Sequence, residues 1–61
     1  MTHQLALLST VQAAQLLGLH PDTLRLWRKQ ARGPKWIRLG NRYRYSQEAI
    51  DAFVEQSKEA V

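Results

Sequence analysis

The sequence contains no cysteine, which excludes disulfide staples and every cysteine-based metal site. It has only three glycines and two prolines, so its turns must fall at a handful of places. Residues 1–21 carry no Asp, Glu, Lys or Arg. That stretch has neither a basic leader nor a small-residue cleavage site, so no secretory signal is expected. No apolar run approaches the roughly 20 residues of a membrane span, so no membrane partner is expected and the cytoplasm is the expected compartment. At 61 residues the chain is read as one domain, 1–61. A chain this short buries only about 60% of its unfolded surface, which leaves no room for a lidded cleft or a sensor for a small-molecule effector.

The inventory for catalysis is missing too. There is no Ser, His and Asp in a supporting order, and no glycine-rich phosphate loop follows a strand. Paired carboxylates occur only on the wet face of the last helix. His3 and His20 have no third ligand candidate near them. No enzyme activity, no cofactor and no metal are therefore expected.

What is present is charge, unevenly placed. The net charge is +4. Residues 22–45 hold eight cations against Asp22 alone, a net of +7, while residues 46–61 hold a net of −3. Six of those eight cations are arginine, which suits bidentate contacts to phosphates and base edges. A positive stretch of this density favours a polyanionic partner through counterion release.

Turn signals divide the chain cleanly. Residues 1–8 are a lead-in, possible as extended chain. Ser9 with Gln12 forms a capping-box pattern, and Leu8 with Ala13 a hydrophobic staple, so a first helix is expected at about Thr10–Leu17. Gly18 ends it. Gly18-Leu19-His20 is a short turn, and Pro21 suits the first position of a second helix, about Pro21–Ala31. Leu24, Trp27 and Ala31 make its apolar stripe. Asp22, Arg25, Leu26 and Lys29 gather on its outward face, with Arg28 and Arg32 on the flanks. Gly33-Pro34 breaks the helix. Lys35–Leu39 and Arg42–Tyr45 read as two strands joined by Gly40-Asn41. Alternation is expected to turn Ile37, Leu39, Tyr43 and Tyr45 inward and Arg38, Arg42 and Arg44 outward. Ser46 caps a third helix, about Gln47–Lys58, with Ala49, Ile50, Phe53 and Val54 on its buried stripe.

Two helices joined by a three-residue turn form a helix-turn-helix unit. Its steric demands are met by a small residue at the crossing (Ala14), a glycine in the turn (Gly18) and an apolar lock (Leu24). Leu17, Leu19 and Trp27 fill the other inward positions. The ordered set Leu8-Ser9-Thr10-Val11-Gln12-Ala13-Ala14, Pro21-Asp22-Thr23-Leu24-Arg25, Arg38-Leu39-Gly40 and Arg42-Tyr43-Arg44-Tyr45 resembles the excisionase/MerR-type winged helix-turn-helix family. The likeness is strongest to its small excisionase-like and AlpA-like members from phages and integrating elements. Roughly residues 8–56 are covered.

The resemblance implies a mainly α fold, order α-α-β-β-α, with a two-stranded antiparallel wing. It implies a second helix that enters the major groove of double-stranded DNA, and a wing that touches the neighbouring minor groove or backbone. Carried over, Asp22, Thr23, Arg25, Leu26, Arg28 and Lys29 are the helix candidates, and Arg38, Asn41, Arg42 and Arg44 the wing candidates. Leu26 departs from the family, whose members usually carry a basic groove reader there. His20 departs at an N-cap position where Ser or Asp is commoner. The implied function is that of a recombination directionality factor (excisionase), associated with the nucleoid and self-associating on tandem sites, with an integrase as a possible partner. An AlpA-like transcriptional regulator is the alternative, and a protein-interaction module a more distant one. RNA binding is disfavoured because the A-form major groove excludes a helix.

Overall fold

The computed structural model describes residues 7–59. The start of the lead-in, with His3 and Leu5, lies outside the described residues. The elements run β1 (Leu7–Leu8), α1 (Thr10–Leu17), α2 (Pro21–Lys29), β2 (Ile37–Leu39), β3 (Arg42–Ser46) and α3 (Gln47–Glu59). Three helices with a small antiparallel wing make a winged helix-turn-helix.

The first helix has the caps that its residues predict. The Gln12 amide donates to Ser9 Oγ at 3.1 Å, and the Ser9 amide donates to Gln12 Oε1 at 3.0 Å. Gly18 closes the helix at φ 70, and the Leu19 amide reaches back to the Ala14 carbonyl at 2.9 Å. Pro21 opens α2, and His20 caps it: Nδ1 accepts from the Asp22 amide at 3.1 Å. An accepting Nδ1 carries no proton, so the approach of Asp22 Oδ2 to 3.7 Å is not an ion pair in that state.

The second helix stops at Lys29, two residues earlier than the sequence suggests. The Ala31 amide bonds to the Arg28 carbonyl at 3.2 Å and the Arg32 amide to the Trp27 carbonyl at 2.9 Å, the two bonds of a Schellman motif. Ala31 occupies its left-handed position at φ 56 and is exposed, so it does not extend the apolar stripe. Arg32 is not on a helical flank either; its guanidinium lies 5.3 Å from the Trp27 ring centroid. The cause is Gly33. At φ 87 the chain folds back across Trp27 so closely that a Cβ at Gly33 would lie 2.6 Å from Trp27 Cε3. Helix and close approach cannot coexist there.

Ala13, Ala14, Leu24, Tyr45 and Ile50 form the core, with Leu8, Leu17, Leu19 and Trp27 packed against it. Both helices of the pair meet at small Ala14 and fully buried Leu24, as their spacing requires. Ser46 Oγ accepts from the Ala49 amide at 3.0 Å and starts α3. The helix then lays Ile50 into the core and Phe53 against Trp27, ring centroids 5.6 Å apart. Val54, expected on the buried stripe, is instead exposed.

The sheet has three strands in the order β1-β3-β2. Leu7 and Leu8 pair with Ser46 and Tyr45, a strand added to the expected pair. In the hairpin Ile37 faces Arg44, Arg38 faces Tyr43 and Leu39 faces Arg42. Directly opposed residues share a face. Ile37 and Leu39 therefore lie with Arg42 and Arg44, on the face opposite Tyr43 and Tyr45. The expectation that Ile37 and Leu39 point inward is overturned: they are 41% and 50% exposed. Arg38, expected outward with Arg42 and Arg44, shares its face with Tyr43. A two-residue turn pairs an odd-numbered residue with an even-numbered one, so the four residues could not share a side.

Candidate nucleic-acid interface

Helix α2 presents Asp22, Arg25, Leu26 and Lys29 to solvent, with Thr23 and Arg28 half-buried. Leu26 is 52% exposed in the middle of a charged face, where no folding role accounts for it. Arg25 Nη1 donates to Asp22 Oδ1 at 2.7 Å, one helical turn away. Both side chains are well exposed, so the pair contributes only a few tenths of a kcal/mol and is easily exchanged for another partner.

Arg28 is placed differently from its neighbours. Its Nη1 donates to Tyr45 Oη at 2.8 Å and to Thr10 Oγ1 at 3.1 Å. Its guanidinium lies over the Tyr43 ring, 4.2 Å from the centroid. One side chain thus ties α2 to the start of α1 and to β3. Of the helix candidates, Arg28 faces the hairpin rather than the open side.

The wing candidates separate as well. Asn41 and Arg42 are exposed at the turn. Gly40 has φ 62 and Asn41 does not share its sign, the pattern of a type II′ turn with glycine first. Arg38 folds over that turn, its Nε donating to the Gly40 carbonyl at 3.0 Å. Arg44 is half-buried, with Nη1 donating to the Tyr43 carbonyl at 2.9 Å, on the face away from α2.

Between α2 and the hairpin runs an open groove of about 430 Å³, lined by Arg25, Arg28, Lys29, Trp36 and Tyr43. Trp36 stands edge-on to Tyr43, centroids 5.2 Å apart and planes at 81°. Neither aromatic was among the site candidates from sequence. Correct pairing across Gly40-Asn41 was the available signal, because it puts Tyr43 on the side of Arg38 and, by alternation, of Trp36. No carboxylate lines the groove. Among the described residues, no group of three or more His, Asp and Glu is placed to hold a metal ion, and no helix is long and apolar enough to cross a membrane.

A family model described as a helix-turn-helix domain matches residues 7–58, from the first residue of β1 almost to the end of α3. No curated protein matches the chain.

Proposed function

The chain belongs to the helix-turn-helix domain family of small excisionase-like and AlpA-like DNA-binding proteins, and from that premise we propose that it is a sequence-specific, architectural binder of duplex DNA that directs excision of an integrated element. The observation that carries the DNA-facing half of this reading is the shared side of α2 and the wing. Arg25 and Lys29 of the helix line one open groove with Trp36 and Tyr43 of the hairpin, on the hairpin face that Arg38 shares, and Asn41 is exposed at the turn.

In this reading α2 lies in the major groove. Lys29 and Arg25 reach base edges or phosphates, and Leu26 meets a thymine methyl. Asp22 accepts from a cytosine amino group once Arg25 has exchanged it for a phosphate, and Thr23 bonds a phosphate near the helix start. Arg38, Asn41, Arg42 and Arg44 belong to the wing contact, with Asn41 at the tip foremost. Arg28 acts as a positioning residue, fixing helix and wing at one spacing. One module buries only about 600–1,000 Å² on DNA. Useful affinity then needs neighbouring copies on tandem sites, each raising the effective concentration of the next. An integrase is the proposed partner in excision, and the nucleoid the proposed location.

A mobility-shift titration on tandem-repeat duplexes tests the reading. With about five phosphates neutralised, the slope of log K against log salt is near −4 to −5, and binding is cooperative. A flat salt response sinks the DNA reading. Appearance of the excised junction only when integrase and this protein are both present supports excision. Promoter control without any effect on excision supports the AlpA-like alternative.

A further inference from the structure

We infer that the groove between α2 and the hairpin is the seat of one sugar–phosphate strand, and that Trp36 binds that strand through its indole N–H. The inference rests on the DNA reading above and adds to it a residue outside the helix face and the wing turn.

A helix in the major groove and a turn in the adjacent minor groove must straddle the backbone that separates them. The space between the two protein elements is the groove lined by Arg25, Arg28, Lys29, Trp36 and Tyr43. A second hollow, of about 390 Å³, shares Arg28 and Trp36 and continues to Arg32 and Lys35. Five cations thus border the two adjoining hollows, and no carboxylate lines either. A polyanion of extended shape matches that lining.

Trp36 stands at the junction of the two hollows. It is 41% exposed, although a tryptophan gains by burial, and its edge-on contact with Tyr43 holds the ring upright. The ring has one polar atom, and that atom is a donor only. A phosphate oxygen is the acceptor this site would meet. Arg28 contributes donors of its own. Its bonds to Tyr45 and Thr10 use Nη1 alone, which leaves the Nη2 and Nε donors for the groove.

The test uses the full chain, a mixed-sequence duplex at low salt and the variant Trp36→Phe, which keeps a ring against Tyr43 and removes the N–H. Indole emission of the parent changes on adding duplex, and the change is absent in W36F, whose only indole is Trp27. W36F binds about ten- to a hundredfold more weakly, as loss of one hydrogen bond to a charged group implies. Its salt slope stays that of the parent, because no charge is removed. Its melting midpoint stays within a few degrees. Duplex binding with unchanged emission, or equal affinity for W36F, overturns the inference and leaves the DNA reading intact. A larger emission change on single strands than on duplex also overturns it, in favour of base stacking. Failure of the parent to bind any duplex overturns both.

Discussion

Arg28 and Tyr45 hold the helix pair and the wing together through one bond, Nη1 to Oη at 2.8 Å. Tyr45 is the largest fully buried side chain among the described residues, and Arg28 also reaches Thr10 at the start of α1. Three elements therefore meet at a single guanidinium.

Arg28→Ala is expected to destabilise the fold by about 1–3 kcal/mol, since it leaves the buried Tyr45 hydroxyl without its donor. In a domain of this size that lowers the melting midpoint by roughly 8–24 °C. Tyr45→Phe costs less, because the acceptor leaves with the bond. The double variant costs less than the sum of the two, and thermal melts of all three show whether the pair is coupled. Strict additivity contradicts the brace.

Ala31→Gly is expected to stabilise the protein by about 1 kcal/mol. Alanine at φ 56 carries the cost of the left-handed region, and glycine does not. Gly33→Ala is expected to do the opposite, by more than about 2 kcal/mol, because φ 87 and the 2.6 Å approach to Trp27 both penalise a Cβ. Gly40→Ala has a positive φ but open space around it, and it should cost more than about 1 kcal/mol yet less than Gly33→Ala. Chemical denaturation of the three variants gives the ranking directly.

Lys29→Ala is expected to relax base preference, while Arg42→Ala weakens binding evenly on specific and scrambled duplexes. The latter should also lessen the salt slope by about 1. Equal losses for Lys29→Ala on both duplexes contradict its role as a base reader.

Leu26→Ala should leave stability within about 0.5 kcal/mol, because the side chain is exposed. Its expected effect is on recognition. Replacing thymine by deoxyuridine removes only the methyl group, and at one position of the site this should weaken the parent but not Leu26→Ala. If uracil substitution never distinguishes the two proteins, Leu26 does not meet a thymine methyl.

Much of this fold was legible because its local signals are strong. Ser9, Gln12 and Gly18 bound the first helix, Pro21 opens the second, and Ser46 starts the third. Each acts within four residues of itself, so the sequence alone suffices. What was hidden depends on distant partners. The end of α2 is set by the contact between Gly33 and Trp27, which residue periodicity does not report. Leu7 and Leu8 become a strand only because Tyr45 and Ser46 lie beside them. Arg28 reads as an ordinary flank cation until Tyr45 and Thr10 are placed around it. The hairpin faces are a different case. Their pairing follows from the Gly40-Asn41 turn, but burial of the apolar residues was the wrong guide in a strand with an open edge and little core to face.

β3 sits in the middle of the sheet, rooted by Tyr45, while the turn at its far end is free of the core. Together with the Arg28 brace this makes α2 and the wing two feet on one stiff span. On the proposed reading such a span would not adjust its stride to the duplex, and the duplex would have to adjust to it. Sites whose base steps yield cheaply are then expected to be preferred at positions that no side chain touches. On that reading, the spacing between the two feet is itself part of what the protein is expected to read.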